Sequence, residues 1–123
     1  MVDDEPHVRR VAELSLARVG GWTVALAASG AEALSAAERD PPDLILLDVM
    51  MPGMDGPTTL VALQAHPTLR SIPVVFITAK VQEREIQRYL ALGAAGVICK
   101  PFDPIQLPEQ IRRILAGECR TAH

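Results

Sequence analysis

The sequence has few cysteines, and their spacing carries no metal signature. Cys99 and Cys119 lie 20 residues apart, which does not match the closely paired ligands of zinc sites. In a reducing compartment a disulfide between them is not expected. We therefore assign Cys99 to strand packing and Cys119 to the tail.

Signals for membranes, export and nucleic acid are also missing. No apolar run approaches the roughly 20 residues that cross a bilayer, and the start Met1-Val2-Asp3-Asp4 is acidic where a secretory signal is basic. We therefore expect a cytoplasmic protein without membrane contact. The formal net charge is -3 and the arginines are scattered, so binding of nucleic acid by this chain lacks electrostatic support.

The length and composition fit one folded domain. The chain has 123 residues, of which 49% are hydrophobic and 22% are charged, values typical of a globular protein. We predict one domain over residues 1–117. Residues 118–123 are expected to form a frayed C-terminal tail or the stub of a linker.

Short apolar runs alternate with helical patterns along the chain, which predicts βα units and a parallel sheet. Strands are predicted at 1–2, 22–27, 44–47, 74–77 and 97–99. Helices are predicted at about 5–20, 29–39, 57–65, 81–92 and 104–117. Ser29 with Glu32 forms a capping box at the start of the second helix. The expected fold is α/β and flavodoxin-like, a doubly wound five-stranded parallel sheet of order 2-1-3-4-5 with five helices.

The first predicted strand is unusually short. Only Met1 and Val2 precede the acidic pair Asp3-Asp4, whereas strands usually run about five residues. In the order 2-1-3-4-5 this strand lies inside the sheet, so its neighbours would keep unpaired backbone groups. We expect a truncated first strand, from a start placed too late or from trimming. Apolar residues added upstream should raise the melting temperature.

Five polar residues stand near the points where apolar segments end: Asp3, Asp4, Asp48, Thr78 and Lys100. The carboxyl ends of parallel strands open on one edge of a sheet, so these side chains should meet there. Carboxylate oxygens suit Mg²⁺, while a lysine and a threonine can contact phosphoryl oxygens. The sequence therefore predicts a site for a divalent cation and a phosphoryl group.

Each of these residues can be given a chemical role. Asp48 is the expected nucleophile, because a carboxylate can accept a phosphoryl group as an acyl phosphate. Clustered carboxylates repel one another until a cation neutralises them, so Mg²⁺ is expected on Asp3, Asp4 and Asp48, with the carbonyl of Met50 as a further ligand. Thr78 is expected to donate a hydrogen bond to the phosphoryl oxygens and Lys100 to ion-pair with them.

The same residues make the chain resemble the receiver domains of two-component response regulators, the CheY-like superfamily. Thirty positions separate Asp48 from Thr78 and 22 separate Thr78 from Lys100, in agreement with that family. The motifs that follow the family's order are Asp3-Asp4-Glu5-Pro6, the run from Leu47 to Gly56, Thr78-Ala79, Gly93-Ala94 and Lys100-Pro101-Phe102.

The resemblance implies a phosphorylatable switch rather than a multiple-turnover enzyme. A histidine kinase or phosphotransfer protein would donate the phosphoryl group to Asp48, and a downstream target protein or output domain would read the changed surface. Residues 81–113 would carry the output face, and homodimerisation through that face is one option. The family often has a cis peptide after its lysine, which Lys100-Pro101 permits.

The chain departs from the family's pattern at Val97, where a tyrosine or phenylalanine is usual. A valine cannot rotate inward as a ring does, so we expect switching through the loop and helix around 79–92. Met50 and Lys80 occupy the positions two residues after Asp48 and Thr78. We expect them to restrict attacking water, which predicts slow self-dephosphorylation.

Two other functions are open on the sequence alone. An aspartyl-phosphate phosphatase of the haloacid-dehalogenase type would need a second acid two residues after its nucleophile, and Met50 fills that place. A receiver-fold interaction module that works without phosphorylation agrees with the short first strand and with Val97. A phosphorylation assay separates this module from the switch.

Overall fold

The computed structural model describes residues 1–79 and 82–122, and it has the predicted α/β architecture with five α-helices and a parallel sheet. The helices are α1 (Pro6–Leu14), α2 (Gly30–Arg39), α3 (Gly56–Ala65), α4 (Glu83–Ala91) and α5 (Leu107–Leu115), and a π-helix at Ser15–Val19 continues α1. The strands are β1 (Ile45–Asp48), β2 (Val74–Thr78), β3 (Gly96–Cys99) and β4 (Thr121–Ala122). They are all parallel and lie in the order β1-β2-β3-β4.

The prediction of five strands is wrong for the described residues, which form four. The first two predicted strands are reduced to isolated parallel bridges, in which Val2 pairs with Ala27 on one side and with Leu47 on the other. A ladder needs consecutive pairs, and only Met1 precedes Val2. The sheet order 2-1-3-4-5 is therefore not established by regular strands.

The C-terminal segment is ordered where we expected it to fray. Thr121 and Ala122 form β4 and pair with Val97 and Ile98. Gly96 permits this approach, because a Cβ at that position would lie 3.0 Å from the carbonyl oxygen of residue 120 and 2.5 Å from Cγ2 of the α5 residue 114. His123 lies outside the described residues.

Helix capping follows the sequence closely. The Glu32 N–H donates to Ser29 Oγ at 3.1 Å, as the capping box predicts. The Thr58 N–H donates to Asp55 Oδ1 at 2.9 Å, so Asp55 caps α3. The expected start of the last helix is less accurate, because α5 begins at Leu107 and not near Pro104. The helix start expected at Val81 lies outside the described residues.

Helices cover both faces of the sheet, which explains the apolar run of β1. The core packed against α2, α3 and α4, here called the α3-side core, contains Ile45 and Leu47. The core packed against α5 and the π-helix, here called the α5-side core, contains Leu46. A strand buried on both faces has no polar face and shows no alternation. Every helix in the described chain is too short or too polar to cross a membrane.

Candidate functional site

Three carboxylates meet at the edge of the sheet where β1 ends. One oxygen from each of Asp3, Asp4 and Asp48 lies within 4.8 Å of the others. Asp3 and Asp48 are buried, whereas Asp4 is exposed. The cluster therefore has two buried acidic groups and one acidic group that faces solvent.

The side chain and the backbone of Asp3 are both fixed by contacts with the start of α1. The Glu5 N–H donates to Asp3 Oδ1 at 2.9 Å, and Arg9 Nη1 donates to the Asp3 carbonyl oxygen at 2.7 Å. The sequence reasoning did not identify Arg9. The sequence did contain a signal for Arg9, because this residue lies one turn into the helix that follows the acidic pair Asp3-Asp4.

The Lys100 ammonium joins the two buried carboxylates. Its Nζ lies 3.0 Å from Asp3 Oδ2 and 3.0 Å from Asp48 Oδ1. The Lys100 N–H donates to the Thr78 carbonyl oxygen at 2.8 Å, which ties the end of β3 to the end of β2. The Lys100-Pro101 peptide bond is cis, as the resemblance suggested.

These contacts shift the pKa values of both partners. Burial raises the pKa of Asp48, and the nearby Asp3 charge adds to this effect, although the hydrogen bond from Lys100 opposes it. For Lys100, burial alone would lower the pKa, but the hydrogen bonds to Asp3 and Asp48 outweigh it and raise the pKa above its usual value. The lysine therefore stays charged at neutral pH.

Thr78 and Met50 flank the acidic cluster. Thr78 is the last residue of β2 and is buried, one strand away from Asp48. The backbone of Met50 opposes the rise in the pKa of Asp48, and 61% of the Met50 surface is exposed. The roles of the Thr78 hydroxyl and the Met50 carbonyl stay predictions, and Lys80 lies outside the described residues.

Gly56, which the sequence analysis names only as the end of a family motif, is a second feature that shapes the site. The Gly56 N–H donates to the Val49 carbonyl oxygen at 2.9 Å. A Cβ on Gly56 would lie 2.6 Å from the Asp48 carbonyl oxygen, closer than a real Cβ could stand. The absence of a side chain therefore lets α3 begin directly against the strand that carries Asp48.

At position 97 of β3 stands a valine, and the ring of Tyr89 comes from α4. Val97 is fully buried in the α3-side core. Tyr89 of α4 is also buried, and its ring meets the edge of Phe76 with centroids 5.3 Å apart. Tyr89 therefore belongs to the packing between α4 and β2.

The donor set fits a hard divalent cation. Carboxylate oxygens from three residues converge on one point, and Mg²⁺ prefers such oxygens while keeping several waters. Asp3 Oδ2 is buried, and among the described residues the Lys100 ammonium is its polar contact. This oxygen is therefore available to a cation that binds in the cluster.

Comparisons with known proteins agree with this geometry. Residues 1–112 match the family model for the response regulator receiver domain. The chain is 45% identical over 93 residues to the response regulator PleD of Caulobacter vibrioides, covering 76% of this chain and 20% of the relative. It is 36% identical over 118 residues to the response regulator Rre1 of Synechocystis, covering 96% of this chain and 51% of the relative. The chain thus spans about half the length, or less, of these curated relatives.

Solved structures give the same result. Chemotaxis protein CheY4 of Vibrio cholerae superposes with a TM-score of 0.85 at 32% identity, over 92% of this chain and 93% of that one. The N-terminal domain of a response regulator receiver protein from Methanoculleus marisnigri superposes with a TM-score of 0.75 at 41% identity, over 94% and 93% of the two chains. The chain belongs to the response regulator receiver domains of two-component signalling.

Proposed function

We propose that this receiver domain is a switch that accepts a phosphoryl group on Asp48. The donor is a phosphohistidine of a histidine kinase or of a phosphotransfer protein. The observation that carries the proposal is the Lys100 ammonium, held 3.0 Å from both Asp3 and Asp48 beside the acidic cluster. A carboxylate nucleophile, two further acids and a fixed cation then stand at one open edge of the sheet.

The proposed transfer needs no protein group as an acid or base. An Asp48 carboxylate oxygen attacks phosphorus, an O–P bond forms, the N–P bond of the donor breaks, and its electron pair returns to the imidazole. Bound Mg²⁺, held by Asp3, Asp4, Asp48 and the Met50 carbonyl, would neutralise charge on the phosphoryl oxygens. Thr78 would donate a hydrogen bond to those oxygens and Lys100 would ion-pair with them.

Phosphorylation would redistribute the contacts of Lys100. A phosphoryl group on Asp48 brings new anionic oxygens to the ammonium, which now divides its charge between Asp3 and Asp48. We propose that the response passes through the loop after β2 and through α4, because Val97 offers no ring to rotate. The surface formed by residues 81–113 would then be read by a downstream target protein or an output domain, or would pair with a second copy.

The competing functions have less support. Met50 stands where a phosphatase of the haloacid-dehalogenase type needs an acid, so turnover of external phosphate esters lacks a proton donor. We therefore propose a switch and not a multiple-turnover enzyme. The phosphorylation-independent module is favoured by Val97 and by the short first strand, whereas Asp48 and Lys100 are both in place for the switch.

The names of two curated relatives favour regulation of transcription as the kind of output. Among the curated relatives are the transcriptional regulatory proteins BaeR of Escherichia coli and PhoP of Bacillus subtilis, 34% and 36% identical to this chain. The chain covers less than half of either protein.

The test is phosphorylation by acetyl phosphate, followed by intact mass measurement. We expect a gain of one phosphoryl group that requires Mg²⁺ and is lost in Asp48→Ala. Asp55→Asn is the matched control, since Asp55 is a nearby acid that caps α3 and lies outside the cluster. It should be phosphorylated like the unchanged protein. Absence of the gain in a folded sample would favour the phosphorylation-independent module.

A further inference from the structure

Arg9 contacts the acidic cluster through the backbone rather than through a carboxylate. Its Nη1 donates to the Asp3 carbonyl oxygen at 2.7 Å, across six positions of the chain. Within the described ranges, Arg9 forms no ion pair with an acidic side chain. The cation that pairs with Asp3 and Asp48 is Lys100. The guanidinium of Arg9 therefore contacts the peptide group that joins Asp3 to Asp4.

The start of α1 directs the Arg9 side chain toward this peptide group. The Arg9 N–H donates to the Glu5 carbonyl oxygen at 3.1 Å, which is a hydrogen bond of the first helical turn. Side chains on a helix lean toward its N-terminus. A long side chain one turn into α1 therefore reaches back to the residues that precede the helix.

Three contacts hold the oxygen atoms of Asp3. Its Oδ1 accepts from the Glu5 N–H, and its Oδ2 contacts the Lys100 ammonium. Its carbonyl oxygen accepts from Arg9. Because a peptide group is planar, the orientation of this carbonyl also fixes the direction in which the chain enters Asp4. The contact with Arg9 thus acts on both acidic residues.

Asp4 has no comparable contacts of its own. In the part of the chain that the structure describes, its carboxylate takes part in no hydrogen bond or ion pair, and the residue is exposed. A carboxylate oxygen of Asp4 nevertheless lies within 4.8 Å of oxygens from Asp3 and Asp48. The position of this carboxylate therefore depends on the backbone, and Arg9 holds the adjoining peptide group.

We infer that Arg9 is a positioning residue for the cation site. By holding the Asp3 carbonyl oxygen, it keeps the carboxylates of Asp3 and Asp4 directed at one point. The inference rests on the proposed function, which places Mg²⁺ on these acids. Groups that orient metal ligands are needed for full metal affinity. The positive charge of Arg9 acts in the opposite direction, because a cation near three carboxylates repels a second cation.

The direction of the change in Mg²⁺ affinity distinguishes these two effects. Arg9→Met removes the charge and the backbone contact but keeps an apolar stem. An effect of charge alone would make this variant bind Mg²⁺ several-fold more tightly. Loss of positioning would make it bind Mg²⁺ more weakly, by about 10- to 100-fold, as is typical when a group that orients metal ligands is removed. We expect the weaker binding.

The experiment is a calorimetric Mg²⁺ titration of the unphosphorylated protein and its variants, with the thermal midpoint of each. Arg10→Met is the matched control, because Arg10 is the exposed neighbour of Arg9 and pairs with Glu13 at 3.0 Å. It removes the same charge and keeps the contact with Asp3, so its Mg²⁺ affinity should stay within about twofold of the unchanged protein. Arg9→Lys keeps a charged donor, and its affinity should lie between those of Arg9→Met and the unchanged protein.

The Mg²⁺ dependence of phosphorylation separates positioning from a structural role. With acetyl phosphate as donor, Arg9→Met should need about tenfold more Mg²⁺ for half-maximal phosphorylation, yet reach a rate within about threefold of the unchanged protein at saturating Mg²⁺. A purely structural role would lower the thermal midpoint and leave the Mg²⁺ affinity of the folded protein unchanged.

The outcomes that contradict the inference differ from those that contradict the proposed function. Unchanged or tighter Mg²⁺ binding by folded Arg9→Met would overturn the inference alone, and so would equal weakening in Arg10→Met. If Arg9→Met did not fold, unchanged or tighter binding by Arg9→Lys would overturn it. A lack of Mg²⁺ binding by the unchanged protein would overturn the proposed cation site together with the inference.

Discussion

The ammonium of Lys100 lies 3.0 Å from the carboxylate of Asp48, although 52 positions separate the two residues in the chain. The same ammonium contacts Asp3 at the same distance. The ammonium of Lys100 therefore bridges the two buried carboxylates. Removal of Lys100 would therefore change the surroundings of both carboxylates.

Lys100→Met should affect metal binding and phosphorylation in opposite directions. Loss of the ammonium leaves the acidic cluster more negative, so Mg²⁺ should bind several-fold more tightly. Phosphorylation by acetyl phosphate should slow by about 100-fold, because a charged donor to the phosphoryl oxygens is lost. Calorimetric Mg²⁺ titration and intact mass measure the two effects. Lys100→Arg keeps the charge and is the control, so it should change Mg²⁺ affinity less than Lys100→Met does. Unchanged phosphorylation in Lys100→Met would contradict the role proposed for Lys100.

Asp48→Asn should stabilise the metal-free protein in a pH-dependent way. Because the folded state raises the pKa of Asp48 above its usual 3.8, ionised Asp48 destabilises the folded state. The gain in unfolding free energy should be largest above the folded-state pKa. It should shrink as pH falls and vanish below about 3.8, where the carboxyl is protonated in both states. Urea unfolding in EDTA from pH 3.5 to 8 measures this gain, and a gain that grew toward low pH would have the wrong sign.

Met50→Asn should speed loss of the phosphoryl group from Asp48. Met50 lies in the loop two residues after Asp48, and 61% of its surface is exposed. An amide could orient water where a thioether does not. We expect an increase of about tenfold, equivalent to about 1.4 kcal/mol of barrier, in the decay of phosphorylated protein followed by intact mass. Met50→Leu keeps the apolar side chain and should decay at the unchanged rate, and equal rates in all three proteins would remove this explanation.

Deletion of residues 118–123 should destabilise the domain and expose the β3 edge. The deletion removes β4 and the burial of Cys119 and Ala122 against the α5-side core, so we expect a loss of about 1 to 2 kcal/mol in unfolding free energy. Unpaired edge groups also favour association at high protein concentration. Chemical unfolding and size-exclusion chromatography measure both effects. Deletion of His123 alone keeps β4 and should behave like the unchanged chain.

The sequence alone determined features that depend on local rules. Ser29 and Asp55 cap helices because their side-chain oxygens reach backbone N–H groups three residues ahead. The apolar run from Leu44 to Leu47 predicted a strand, and the structure places its residues in two separate cores. The acidic pair, Asp48 and Lys100 were identified as neighbours because strand ends share one edge of a parallel sheet.

Tertiary structure decided what depends on contacts between distant parts of the chain. Segment 22–27 has the composition of a strand, yet it forms only one bridge because Met1 and Val2 offer too few pairing groups. The tail forms β4 because Gly96 lets its backbone approach β3, a relation that no local pattern encodes. Local propensities set which residues form helices and caps, whereas strand pairing and the ion pairs of Lys100 depend on partners that only the folded chain brings together.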